Sequence, residues 1–178
     1  MKLVILDRDG VINYDSDNYI KTVEEWLPIP GSIEAIAALS NAGFKVCIAT
    51  NQSGLARGYF SSETLTAMHV KMSDLVSQAG GTISYIEHCP HGPDNGCNCR
   101  KPLPGMINTI LTKYPEVRAE NVYVVGDSLR DLEAGVAAGC KPLLVKTGKG
   151  ERTLTKGNLP EGTIICNDLS SAVNVIAA

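Results

Sequence analysis

Short apolar runs alternate with longer stretches in which apolar residues recur every three or four positions, and this alternation continues along most of the chain. The short runs predict strands at Leu3–Leu6, Phe44–Ala49, Ile83–Glu87, Val122–Val125, Pro142–Val145 and Thr163–Ile165. The stretches between them predict amphipathic helices at Ser32–Asn41, Ser62–Ala79, Gly105–Lys113, Leu129–Ala138 and Asp168–Ile176. Several ends carry their own signals: Gly43 and Gly80–Gly81 follow the first two helices as stops, and Ser61 precedes the second as an N-cap with Thr64 three residues on. Two stretches, Asn13–Pro30 and Cys89–Pro104, lack any regular period. Strand and helix in strict alternation predict an α/β fold: a single Rossmann-like, doubly wound parallel sheet.

Composition narrows the class without changing that picture. The 178 residues suit one domain spanning 1–178, and 44% apolar with 20% charged residues excludes a collagenous, disordered or membrane-embedded chain. A net charge of −3 with no basic stripe argues against a nucleic-acid partner. The first apolar run, Leu3–Leu6, is too short for a signal peptide or membrane anchor, so the expectation is a cytoplasmic protein with no membrane partner. In a reducing compartment, clustered cysteines point to metal or catalysis before disulfides. Of the six cysteines, three fall with His91 in the eleven residues CPHGPDNGCNC. Cys47, Cys140 and Cys166 read as buried core, and His88 as a bystander.

Four polar groups emerge directly after predicted strands. The first strand runs into Asp7-Arg8-Asp9-Gly10, whose two carboxylates can face one crevice if the chain stays extended. The second ends in Thr50-Asn51-Gln52-Ser53-Gly54, small hydroxyl and amide groups with backbone N–H donors suited to an anion. Arg100-Lys101-Pro102 sets two cations before a helix, and Gly126-Asp127-Ser128-Leu129-Arg130-Asp131 sets two carboxylates four residues apart at the start of another. Each alone is an ordinary turn, cap or solvated pair. Together they meet at the carboxyl edge of the sheet, where open α/β proteins bind ligands. Asp7, Asp9 and Asp127 gather negative charge suited to Mg²⁺, with Thr50 and Lys101 as donors to phosphoryl oxygens.

DRDGV, ATNQSG, RKP and GDSLRD, in this order, resemble the four signature motifs of the haloacid dehalogenase superfamily, and the resemblance covers residues 3 to about 147. It implies a phosphatase in which Asp7 attacks phosphorus to form an aspartyl-phosphate while Asp9 protonates the departing oxygen and later activates water. It also implies Mg²⁺ held by the Asp7 and Asp127 carboxylates and the Asp9 carbonyl, phosphoryl contacts from Thr50 and Lys101, and a supporting role for Asp131. There is no room for the large cap domain of many members, so specificity falls to loops. The longer strings LDRDGVIN, TNQSGLARGYF, CPH…CNCRKPLPGM and VGDSLRD resemble a sugar-bisphosphate branch of that superfamily, and this resemblance implies a small phosphorylated sugar as substrate: a heptose 1,7-bisphosphate losing its 7-phosphate, for nucleotide-activated heptose and surface polysaccharide, with histidinol phosphate as the alternative. Sugar contacts are expected from Asp15, Ser16, Asp17, Asn18 and Tyr19, followed by Asn51, Gln52, Ser53 and Arg100, with Arg57 as an outer cation for a second phosphate. Ser128 stands where some members of this branch carry Lys, and Arg130 is its candidate replacement.

Cys89, His91, Cys97 and Cys99 form C-x-H-x5-C-x-C, a ligand set suited to structural Zn²⁺ in a short loop, about 89–99. A Cys97–Cys99 disulfide is the alternative, disfavoured by its strained ring. The loop adjoins Arg100 and Lys101, so zinc would position those cations and take no part in chemistry. The expected oligomeric state is a monomer. A zinc-bearing interaction module would account for the Cys/His set but not for the Asp7, Asp9, Asp127, Lys101 constellation, and a nucleic-acid 3′-phosphatase would need basic surface that the chain lacks.

Overall fold

The computed structural model describes all residues, 1–178. Six strands form one parallel sheet: β1 (Lys2–Leu6), β2 (Phe44–Asn51), β3 (Tyr85–Cys89), β4 (Tyr123–Gly126), β5 (Lys141–Val145) and β6 (Ile164–Cys166), in the order β3-β2-β1-β4-β5-β6. The helices are α1 (Ser32–Asn41), α2 (Ser62–Gln78), α3 (Gly105–Lys113), α4 (Leu129–Ala137), α5 (Gly150–Lys156) and α6 (Leu169–Ile176). No helix is long and apolar enough to cross a membrane.

The period-two alternation of the strands divides the core in two. Val4 and Leu6 of β1 with Val46 and Ile48 of β2 point to one face, where Ile36 and Leu39 of α1, Met68 and Met72 of α2 and Leu169 of α6 cover them. Leu3, Ile5, Cys47 and Ala49 point to the other, under Met106, Ile107 and Ile110 of α3 and Ala134 of α4. Both faces of the sheet are covered, which accounts for strands that read as continuous apolar runs. Cys47, Cys140 and Cys166 are buried in these cores.

Three features differ from the sequence reading. Strand β3 lies two residues later than expected, with Cys47 level with Tyr85 and Asn51 level with Cys89. It is an edge strand with half-buried side chains, so the polar run Glu87-His88 is no obstacle to pairing. Cys89 therefore closes a strand and is buried, and is not a loop residue. Helix α5 and a 3₁₀ turn at Ala119–Asn121 were not expected: each is too short to show a helical period. Asp168 stands outside α6 as its N-cap, accepting from Ser171 N at 2.8 Å.

The chain winds from β1 toward β2 and β3 on one side and returns to β4, β5 and β6 on the other, which creates a topological switch between β1 and β4. Leu6 is level with Ile48 of β2 and Val125 of β4. The residues that follow these three therefore arrive together at one crevice.

Candidate active site

Asp7 continues from β1, its N–H donating to Val125 O at 2.9 Å. The chain then turns tightly, with Ile12 N donating to Arg8 O at 2.8 Å and Gly10 N to Asn13 O at 2.8 Å. Gly10 has φ +84°, and a side chain there would strike the Asp127 carboxylate, so glycine is required on both conformational and steric grounds. Asp9 is heavily hydrogen-bonded. Its Oδ1 accepts from Arg8 Nε at 3.0 Å, Arg8 Nη2 at 2.7 Å and Asn13 Nδ2 at 2.9 Å, while Oδ2 accepts only from Gln52 Nε2, at 3.1 Å. Burial works to raise its pKa, but the Arg8 charge and the donors from Asn13, Arg8 and Gln52 outweigh it and hold Asp9 below the usual carboxylate range.

Lys101 is buried at the floor of the crevice. Its ammonium donates to Ala49 O at 2.6 Å, Asp131 Oδ1 at 2.9 Å and Asp7 Oδ1 at 3.2 Å, which uses all three protons. Asn51 clamps the backbone on either side of that residue, accepting from Lys101 N at 3.0 Å and donating to Lys101 O at 3.4 Å. Asp131 Oδ2 accepts from the backbone N–H of Asp127 and of Ser128, both at 3.1 Å, and from Ser128 Oγ at 2.9 Å. Both of its oxygens are thus committed to protein donors, and it caps α4 while orienting Lys101. Asp127 stands one residue before the Ser128 N-cap, outside the helix. Its Oδ2 accepts from Lys149 N at 2.9 Å, and Thr153 Oγ1 donates to its carbonyl at 2.7 Å.

Asp7, Asp127 and Asp131 bring carboxylate oxygens within 4.8 Å of one another. Against three negative charges stands one buried ammonium, leaving a deficit of two that a divalent cation would cancel. The strain shows in the acids: burial and the Asp131 charge push Asp7 up to about 7, and burial with the Asp131 and Asp7 charges pushes Asp127 up to about 9. Asp131 goes the other way, its burial more than offset by Lys101 and by its hydrogen bonds. Since Asp131 has no oxygen to spare, Asp7 and Asp127 are the carboxylates available to Mg²⁺, and hard oxygen donors fit that ion.

The Cys/His loop is spaced to suit a zinc ion. Cys89 Sγ lies 3.7 Å from Cys97 Sγ and 3.6 Å from His91 Nδ1, and Cys99 Sγ lies 3.4 Å from His91 Nδ1. Tetrahedral zinc bond lengths separate sulfur ligands by roughly 3.8 Å and sulfur from nitrogen by roughly 3.5 Å. None of the six cysteines is in a disulfide. Burial and the neighbouring Cys89 and Cys97 push Cys99 up to about 12, whereas in Cys97 the backbone N–H groups of Arg100 and Cys99 overcome desolvation and bring it down to about 6. One thiolate and crowded thiols around a common centre are what a cation would organise. Arg100 Nη1 donates to His91 O at 3.1 Å, so this loop directly braces the residue beside Lys101.

Above these groups lies a polar cavity of about 220 Å³. Of the sequence-predicted residues it is lined by Asp7, Asp9, Asp127, Asp15, Ser16, Asp17, Tyr19, Asn51, Gln52, Ser53 and Arg100. Four others lie outside the lining. Thr50 is buried and accepts from Gln52 Nε2 at 3.0 Å; Lys101 is beneath the floor; Asn18 donates its N–H to Ser16 Oγ at 3.1 Å; and Arg57 stacks over the Tyr19 ring at 5.9 Å. The sequence reading missed Lys149, which lines the cavity and pairs with Asp15 at 3.5 Å. Its signal was the glycine-flanked TGKG after β5, a fifth polar group at the same edge. Ser128 and Arg130 are also in the lining. Arg100 is held below its ordinary pKa by burial and then by the nearby Arg130 charge, so two guanidinium groups share one wall.

A parallel sheet with paired aspartates after its central strand, a buried lysine and a metal-ready carboxylate pair defines a haloacid dehalogenase-type phosphatase, and the HAD-hydrolase-like family model matches residues 98–172. The chain is 61% identical over 171 residues to D-glycero-beta-D-manno-heptose-1,7-bisphosphate 7-phosphatase of Pseudomonas putida, covering 96% of this chain and 97% of that one. It is 58% identical to the enzyme of the same name from Pseudomonas aeruginosa, over 98% and 97% of the two chains. Among solved structures, the D,D-heptose 1,7-bisphosphate phosphatase of B. bronchiseptica, complexed with magnesium and phosphate, superposes with a TM-score of 0.97 at 55% identity over 99% of this chain and 98% of that one. The chain belongs to the D-glycero-beta-D-manno-heptose-1,7-bisphosphate 7-phosphatase family.

Proposed function

We propose that the chain is a Mg²⁺-dependent phosphatase that removes the 7-phosphate of D-glycero-β-D-manno-heptose 1,7-bisphosphate. The observation that carries the reading is the arrangement at the cavity floor. Asp7 is fixed by Lys101 and faces Asp127 across a two-charge deficit, while Arg100 and Arg130 offer a second anion contact on the wall. The magnesium-bound relative of the same fold supports it.

The Asp7 and Asp127 carboxylates, with the Asp9 carbonyl, would hold Mg²⁺, which supplies charge neutralisation at the phosphoryl oxygens. Asp7 attacks phosphorus; the bond from phosphorus to the sugar oxygen breaks, and that oxygen takes a proton from Asp9. Water then attacks the aspartyl-phosphate, its proton passing to Asp9, and phosphate leaves. Asp9 is ionised when the cavity is empty, and the arriving phosphate is the like charge that raises its proton affinity. Lys101 steadies the transferring group through its contact with Asp7, with Thr50 beside it, and Asp15, Ser16, Asp17, Tyr19, Asn51, Gln52 and Ser53 surround the sugar, Asn18 bracing their loop from outside the cavity. Arg100 and Arg130, with Arg57 further out, take the anomeric phosphate.

Cys89, His91, Cys97 and Cys99 would hold Zn²⁺, which would fix the loop leading into Arg100 and Lys101. Residues 1–178 act as one capless catalytic unit and as a monomer. The product would feed nucleotide-activated heptose for lipopolysaccharide, in a reducing cytoplasm that suits six cysteines without a disulfide.

Asp7→Asn tests the mechanism. It keeps the shape and removes the nucleophile, so kcat should fall by about 10⁴-fold or more with the melting temperature held or raised. Unchanged turnover would refute the assignment.

A further inference from the structure

Arg8 lies between the two aspartates, yet it points away from the cavity and is fully buried. Alternation along β1 sets it on the side of Val4 and Leu6, the face covered by α2. Its guanidinium is a fork with two tines on one acceptor: Nε and Nη2 both donate to Asp9 Oδ1, at 3.0 and 2.7 Å. The remaining nitrogen, Nη1, meets α2, where His69 Nε2 lies at 3.2 Å and Met68 Sδ at 3.8 Å. A guanidinium has only donors, so His69 must present the lone pair on Nε2 and carry its proton on Nδ1. Burial and the Arg8 charge bring the imidazole down to about 3, which keeps that lone pair available. The fork is therefore held at both ends, by a catalytic carboxylate and by a helix in the core.

We propose that His69 is a positioning residue for the phosphatase reaction, acting through Arg8 to lock the Asp9 carboxylate so that Oδ1 is saturated and Oδ2 alone exchanges the proton with substrate and water. The three donors on Oδ1 and the single one on Oδ2 give this asymmetry directly. A planar fork tethered at its far nitrogen cannot swing, so the carboxylate plane is fixed with it. The inference rests on the reading of Asp9 as the acid and base of the reaction.

The test uses leaving groups. A sugar hydroxyl needs a proton to depart, whereas the nitrophenolate of 4-nitrophenyl phosphate leaves as a stable anion, and kcat/KM reports only steps through leaving-group departure. Misplacing Asp9 should therefore hurt the sugar bisphosphate selectively. His69→Leu, which removes the acceptor, should lower kcat/KM for the heptose bisphosphate about tenfold or more and leave 4-nitrophenyl phosphate within about twofold. His69→Gln, whose amide oxygen can accept from Arg8, should restore the sugar activity to within about threefold. Equal losses on both substrates, or none on either, would overturn the proposal. Asp9→Asn is the control: selective loss there with a silent His69→Leu sinks only the role of His69, while retained sugar turnover in Asp9→Asn sinks the reading of Asp9 itself. A measurement on the unmodified protein needs no variant to fold: ¹⁵N NMR of the His69 ring should show a neutral imidazole with Nδ1 protonated, and an Nε2–H tautomer would contradict the geometry.

Discussion

Lys101 shows how one side chain can hold a site together by charge. Replacing it with Met leaves Asp131 without its counter-ion in a buried position, a change worth about 3 kcal/mol or more. Lys101→Met should lower the melting temperature by roughly 6–12 °C, at about 2–4 °C per kcal/mol for a chain of this size, and kcat by about 10²-fold or more. Thermal denaturation and steady-state kinetics check the two effects. At this scale the sequence was read well where charge and spacing agreed: Asp7, Asp9, Lys101 and Asp127 do meet. It was read less well where a residue acts through a partner far along the chain. Asn51 was expected at the sugar and proves also to clamp the Lys101 backbone, a contact fifty residues away that no local pattern contains. Arg8 could have been flagged, because alternation places a cation on a core face, where it needs an acceptor.

Among the elements, the Cys/His loop proposed to hold zinc carries the clearest consequence. Cys99→Ser removes one of the four proposed zinc ligands, next to Arg100 and Lys101, so metal analysis should find zinc lost, the melting temperature lowered by about 5 °C or more, and kcat reduced. Full zinc content with unchanged activity would contradict the positioning role. The N-cap of α2 offers a contrast: Ser61 Oγ accepts from Thr64 N at 3.1 Å, and Ser61→Ala should cost about 1 kcal/mol in denaturant unfolding while leaving kcat intact. Caps, glycine stops and period gave the long helices nearly to the residue. Helix α5 escaped because seven residues hold too few apolar positions to show a period, and β3 was misplaced because an edge strand does not need to be apolar.

For the whole molecule, topology converts separate turns into one site, and the collected charge makes stability depend on pH and metal together. The folded pKa values of Asp7 and Asp127, about 7 and about 9, lie above the ordinary value of 3.8. Between those limits the native state binds more protons than the unfolded chain, so metal-free stability falls as pH rises from about 4 toward about 9. Asp9 and Asp131 are held low and contribute the opposite trend only in acid. Mg²⁺ relieves the repulsion, so the rise in melting temperature on adding Mg²⁺ to protein dialysed free of it, zinc retained, should grow between about pH 5 and about pH 9. A shift that shrank with pH would speak against Asp7 and Asp127 as the ligands. The parallel sheet follows from the alternation of elements, but which loops cross the cavity does not, since Lys149 reaches Asp15 only because β1 and β5, separated by β4, end on the same side of the sheet.

The most direct measurement is kcat/KM on a panel of both heptose 1,7-bisphosphate anomers, other sugar bisphosphates and histidinol phosphate, with ³¹P NMR to identify the phosphate released. The β anomer should be preferred and should lose its 7-phosphate while retaining the anomeric one. A preference for histidinol phosphate, or release of the anomeric phosphate, would contradict the assignment.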